Sequence, residues 1–257
     1  IMGVDQNLVL DPDPEFNSRE DNIVLHPFAS QRKKKWGINK WNELIFKLAK
    51  DNPNYKFHIV GGAEDQSQAQ RLMNSPALSN LKDRIFNKTE NHSIADTYQL
   101  LNNARLFIGH DSMVSHLASE TLTPSIVISL GTVRPNETTP YSDKVINIAP
   151  KNSCYPCAIA DNCELLPCHG SINYQVVSTV ANQMLKQEDV SQSFLLSQLS
   201  SYQLNNTRVY KSSYGLDGLE LNEITENFAT TTDVFKNYFK ICLLYTSDAS
   251  DDSLRVY

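Results

Sequence analysis

Apolar residues recur along this chain in two rhythms. Ile23-Val24-Leu25, Phe57-His58-Ile59-Val60, Leu106-Phe107-Ile108 and Ser125–Leu130 are short, nearly unbroken apolar runs of the kind that form buried strands. Ile85-Phe86 and Val145–Ile148 are weaker versions of the same signal. Between the first two runs, Trp41, Leu44, Ile45 and Leu48 follow helical spacing until Asp51-Asn52-Pro53-Asn54 ends it. The pattern predicts a polar helix over Asp65–Asn74 and a short helix over Met113–Thr121. It also predicts a helix capped by Ser93, with Asp96 placed as in a capping box. Val176, Val177, Val180, Ala181 and Met184 mark a last amphipathic helix.

Strand and helix alternate for about six rounds, which predicts an α/β fold. The expected architecture is a Rossmann-like, mostly parallel sheet with right-handed crossovers and helices on both faces. Ligands of such sheets sit at the carboxyl ends of the strands. Those ends are expected at His26–Ser30, Gly61–Glu64, His110–Ser112 and Gly131-Thr132, where glycine and polar residues gather.

The flanks read differently. Residues 1–21, rich in Asp, Pro and Asn, are expected to be an interdomain linker, and residues 22–187 the folded domain. Residues 188–241 are rich in Ser, Asn, Gln and Thr and form a C-terminal extension, either the start of another domain or a partly ordered tail. Residues 242–257 resemble a translated sequencing-adapter sequence and carry no argument about fold or function.

Composition narrows the functional classes. With 257 residues, 40% hydrophobic and 20% charged, and a mean hydropathy of −0.38, the chain suits a large globular domain with appendages. No stretch approaches the roughly 20 apolar residues of a membrane-spanning helix, so an integral membrane protein is not expected. A net charge of −6 argues against bulk nucleic-acid binding but leaves room for a local basic patch. No apolar signal core follows Met2.

Four segments could carry chemistry. Ser30-Gln31-Arg32-Lys33-Lys34-Lys35-Trp36 follows the first strand, where a loop and a helix N-terminus would offer amides, cations and a hydroxyl to a diphosphate. A solvated basic turn is the plain alternative. Gly109-His110-Asp111-Ser112-Met113-Val114-Ser115-His116 joins a strand end to a helix start. There Asp111 and Ser112 could cap the helix, or border a crevice together with His116. Gly61-Gly62-Ala63-Glu64 permits close backbone approach, with Glu64 placed to accept hydrogen bonds from a ribose or base. No G-x-G-x-x-G follows the first strand, which counts against an NAD enzyme.

Cys154-x-x-Cys157, Cys163 and Cys168 hold four of the five cysteines. Four thiolates so close could bind a structural zinc or iron ion, leaving no open coordination position. Reduced thiols or two disulfides are the alternatives.

In order and spacing, these segments resemble the C-terminal half of glycosyltransferase family nine, the lipopolysaccharide heptosyltransferases. The resemblance runs from about Asn22 to Leu185. It rests on Lys34-Lys35-Trp36, Gly61-Gly62-Ala63-Glu64, Phe107-Ile108-Gly109-His110-Asp111-Ser112 with His116-Leu117-Ala118, Thr123-Pro124, Leu130-Gly131, Thr139-Pro140-Tyr141 and the cysteine cluster. It implies one half of a two-domain GT-B arrangement that binds a nucleotide-sugar donor, ADP-heptose above all. On this resemblance Ser30 and Lys34 contact the donor phosphates, Glu64 holds the nucleoside, and residues near His92 line the adenine pocket. Asp111, Ser112 and His116 lie near the phosphates and heptose. Catalysis would invert the anomeric centre without a metal or cofactor, with a general base from an N-terminal acceptor domain that the sequence lacks. The chain alone is therefore expected to transfer little or no sugar. A glycan or lipid-linked acceptor and a cytoplasmic location, including the inner-membrane surface, complete the implication. Met113 stands where the family usually has glycine. The rival expectation is a non-catalytic nucleotide-sugar-binding or protein-interaction module with a cysteine knuckle.

Overall fold

The structure, a computed structural model, describes residues 16–90 and 92–225. In chain order its first elements are β1 (Glu20–His26), α1 (Ile38–Asp51), β2 (Lys56–Val60), α2 (Gln66–Met73), β3 (Ile85–Lys88), α3 (Ile94–Asn102) and β4 (Ala104–His110). Then come α4 (Met113–Glu120), β5 (Ser125–Ile128), α5 (Pro135–Thr138), β6 (Val145–Pro150), α6 (Pro167–Ser171) and α7 (Tyr174–Leu185). The last are α8 (Gln192–Gln198), α9 (Ser201–Asn206), β7 (Thr207–Gly215) and β8 (Gly218–Glu223).

The strands form one sheet in the order β3-β2-β1-β4-β5-β6-β7-β8. Strands β1 to β6 pair in parallel, whereas β7 and β8 join antiparallel. From β1 the chain steps outward to β2 and β3, then returns to β4 and steps the other way. Right-handed crossovers therefore send α1 and α2 to one face and α3 and α4 to the other. Helix α1 packs on α7, and α3 on α4. Strands covered on both faces need apolar residues in succession, and Ile23, Val24 and Leu25 are each 0% exposed. The predicted capping box is present: the Ser93 hydroxyl accepts from the Asp96 N–H at 3.1 Å, and the Ser93 N–H donates to the Asp96 carboxylate at 2.8 Å.

Two expected boundaries are corrected. The folded part begins before residue 22, because Phe16 and Arg19 are buried. Arg19 donates to the Ala104 carbonyl at 3.1 Å and the Thr121 carbonyl at 3.2 Å, tying this segment to β4 and the end of α4. The boundary at 187 also fails, since β7 and β8 extend the same sheet from β6. Residues 1–15, the end of the expected extension at 226–241 and the adapter-like 242–257 lie outside the described residues.

Candidate functional site

The carboxyl ends of β1 to β4 open into a cavity of about 740 Å³. Phe28 and Ser30 follow β1, Gly61 to Asp65 follow β2, His92 follows β3, and Asp111 to Met113 follow β4. The chain order thus dictates the gathering, because adjacent parallel strands all release their loops at one edge.

Five of the seven residues expected at a donor site line this cavity: Ser30, Glu64, His92, Asp111 and Ser112. The other two flank Asp111. The Lys34 ammonium stands 4.0 Å from one carboxylate oxygen and the His116 imidazole 3.9 Å from the other. The Asp111 side chain is only 12% exposed. Burial raises its pKa, and Lys34 and His116 oppose that rise. The Ser112 hydroxyl is buried without a hydrogen-bond partner among the described residues, leaving its donor and acceptor capacity unused. Met113 lines the same cavity and is 59% exposed.

His110, just before Asp111, is structural. It is 1% exposed, its Nε2 lies 3.1 Å from the Trp36 backbone N–H, and its Nδ1 lies 3.3 Å from the Ile128 carbonyl. Only the neutral Nδ1–H form satisfies both contacts, and burial lowers its pKa from 6.5 to about 3. The ring therefore pins the loop after β1 to β4 and β5.

The run of four cations does not act as one. Residues Arg32–Lys34 form a 3-10 turn, so successive side chains leave in different directions. Lys34 meets Asp111. Lys33 donates to the carbonyls of Ala158, Ile159 and Asp161 at 3.2, 2.9 and 3.3 Å, which occupies all three of its protons. Lys35 reaches the Gln68 side-chain oxygen at 3.4 Å. The helix N-terminus expected at this cavity is displaced as well: α1 starts only after Gly37, and neither Gly37 nor Ile38 lines the cavity.

The four cysteines expected to hold a metal lie in and beside the loop between β6 and α6. Cys154, Cys157, Cys163 and Cys168 are free thiols, Cys154 exposed and Cys157 and Cys168 buried. Among the described residues no group of three or more His, Cys, Asp or Glu is arranged to hold a metal ion. Burial raises the pKa of the Cys157 and Cys168 thiols. Hydrogen bonds tie this loop to the rest of the domain, from Lys33 and from the Cys157 N–H to the Gly131 carbonyl at 2.8 Å. Gly131 sits at φ +64°, and a Cβ there would lie 2.6 Å from the Lys33 carbonyl oxygen, so the close approach requires glycine.

Sequence reasoning missed Gln68 in the cavity wall and gave no individual role to Phe28 or Lys35, though both lie in segments it singled out. Phe28 had a readable sign in Gly61, where a Cβ would lie 2.7 Å from the Phe28 ring.

A mostly parallel sheet with a polar crevice across its strand ends defines a Rossmann-like α/β domain, here one half of a GT-B glycosyltransferase fold. The model of glycosyltransferase family 9 (heptosyltransferase) matches residues 2–166, and the chain belongs to that family. Among solved structures it is similar to ADP-heptose LPS heptosyltransferase II of E. coli, at 20% identity over 65% of this chain and 46% of that one, TM-score 0.55. It is also similar to a family 9 glycosyl transferase of Veillonella parvula DSM 2008, at 17% identity over 68% and 50%, TM-score 0.50. The chain thus spans about half the length of these structures. No curated protein matches it. Among the described residues, no helix is long and apolar enough to cross a membrane.

Proposed function

We propose that this chain is the donor-binding half of an inverting heptosyltransferase and that the cavity beside Asp111 takes ADP-heptose. The observation that carries this reading is the grouping of Lys34, Asp111 and His116 at the edge of a cavity of about 740 Å³, within the usual range for small-molecule sites. A nucleotide-sugar presents a dianionic diphosphate and a neutral polyol. Lys34 supplies charge for the first, while Asp111 and Ser112 supply an acceptor and a hydroxyl for the second. Glu64 is placed after β2 to take the nucleoside hydroxyls. Membership of family 9, and the ADP-heptose named for the E. coli relative, favour adenine and heptose as the two ends.

In the transfer, an acceptor hydroxyl oxygen attacks the anomeric carbon. The bond from that carbon to the diphosphate oxygen breaks, and its electron pair leaves with the nucleoside diphosphate. Lys34 stabilises that departing charge. The hydroxyl proton goes to a general base in an acceptor domain, so this chain by itself binds donor and transfers little or no sugar to a glycan or lipid-linked acceptor. The setting in this reading is the cytoplasm, where nucleotide-sugars are made.

Calorimetric titration of the chain with ADP, UDP and GDP tests the reading. ADP is expected to bind most tightly, and absence of binding by all three would overturn it.

A further inference from the structure

We propose that the chain carries a second ligand site, for a phosphate monoester or inorganic phosphate, on the opposite side of the loop after β1. A separate cavity of about 510 Å³ lies there, between the start of α1, one face of α2 and the Cys154–Cys168 loop. Arg32, Lys35, Arg71 and His169 line it, and no aspartate or glutamate does. Among the described residues the Arg32 guanidinium meets only the Glu164 backbone carbonyl, at 3.5 Å, the Lys35 ammonium only the Gln68 amide oxygen, at 3.4 Å, and the Arg71 guanidinium no hydrogen-bond partner. In a chain of net charge −6, three cations lining one cavity with no carboxylate among its described lining residues call for an anion from solution.

The backbone points the same way. The displaced N-terminus of α1 belongs to this cavity: Trp36, Gly37 and Ile38 line it, and the Gly37 cap gives the first-turn amides no side-chain acceptor. Those amides and the helix dipole favour a compact oxyanion. A further donor goes unused, because Trp41, 1% exposed, lines the cavity and its indole N–H has no partner among the described residues. His169, whose Nε2 lies 3.0 Å from the Lys33 carbonyl, has its pKa lowered chiefly by burial; that hydrogen bond opposes the fall, and the positive potential of Lys40 and Arg32 adds to it. The aromatic walls, Phe28, Trp36 and Trp41, suit a carbohydrate body attached to the phosphate.

The site does not depend on what the first cavity binds. Lys35 and Gln68 line both cavities, so the two sites share a wall and not a ligand. The experiment is set by the sequence, since the chain's two tryptophans, Trp36 and Trp41, both line this cavity. Intrinsic fluorescence is followed during titration with inorganic phosphate at constant ionic strength, with and without saturating ADP. A saturable change that persists with ADP is expected. Arg71→Gln and Arg32→Gln, both at exposed positions, should each weaken it about tenfold or more. Lys34→Ala should leave it within about twofold of the parent protein. Repeating the titration with glucose 6-phosphate separates the two sources: tighter binding assigns the site to sugar phosphates, and equal binding to phosphate itself. No saturable change, or one lost with Lys34→Ala but kept with Arg71→Gln, would overturn the proposal.

Discussion

The two cavities beside the loop after β1 share Phe28, Lys35 and Gln68 yet differ in the sign of their walls. The first mixes charges, with Glu64, Asp65, Asp111 and Lys35 in one wall. The second holds cations and no carboxylate. Carboxylates repel a phosphate but accept hydrogen bonds from sugar hydroxyls. A mixed wall therefore fits a ligand with a polyol beside its charge, and a purely cationic wall fits a compact anion. One basic run in the sequence serves both, and the loops across from it decide which ligand each side accepts.

The largest way to break this contrast is to remove what both cavities lean on. His110→Ala leaves the Trp36 N–H and the Ile128 carbonyl unpartnered and opens a void in the core. Its expected cost is on the order of 3 kcal/mol or more, from the cavity and the orphaned backbone groups together. Urea unfolding should show that loss, and both titrations should weaken together. A variant that loses only one of the two binding activities would show that the ring does not anchor the shared loop.

Acidification tests the same residue without mutation. In the unfolded chain His110 takes a proton near pH 6.5, whereas the folded protein resists protonation until about pH 3. Across that window the unfolded state binds more protons, so stability falls as pH falls. The slope from this histidine is about 1.4 kcal/mol per pH unit. His58, lowered to about 4 first by burial, acts in the same direction. Urea midpoints taken between pH 7 and pH 5 should decline, and His110→Gln should flatten the decline.

A smaller change separates the cavities. Lys34→Ala removes the cation beside Asp111. It should weaken ADP by about tenfold to a hundredfold, the range of one charge-assisted contact of about 1.5–3 kcal/mol. Calorimetry reads the ADP loss directly. An unchanged ADP affinity would remove Lys34 from the donor site.

Much of this was readable from residue order, and the unreadable parts have specific causes. Strands β1, β4 and β5 announce themselves because burial on both faces forces apolar residues into succession. Strand β7 does not, because two of its three buried positions, Thr207 and Ser212, are polar. Ser212 is 1% exposed, yet its hydroxyl donates to the Val145 carbonyl at 2.8 Å and accepts from the Val145 N–H at 3.0 Å. A serine that replaces backbone partners in this way erases the hydrophobic alternation on which strand prediction depends. At the site, strand ends located Ser30, Glu64, Asp111 and Ser112 correctly within one cavity. The directions taken by Arg32 to Lys35 were hidden, because a 3-10 turn and carbonyls some 125 residues away determine them. The cysteine spacing likewise gave no sign that an ammonium from that same turn binds the loop.

The smallest effect sharpens the comparison inside the first cavity. Met113 opens α4 beside Asp111 and Ser112, and at 59% exposure its side chain contributes little to the core. Truncation at an exposed helix start costs well under 1 kcal/mol in stability. In the proposed binding mode the sugar rests beside Met113 and the nucleotide reaches toward Glu64 and His92, all of which line the cavity. Met113→Ala should therefore leave ADP affinity within about twofold and shift ADP-heptose affinity by a few-fold, a difference of about 1 kcal/mol or less. Parallel calorimetric titrations with the two ligands measure it. If both affinities move equally, Met113 touches the diphosphate and not the sugar, and the polyol must be sought on the Glu64 side of the cavity.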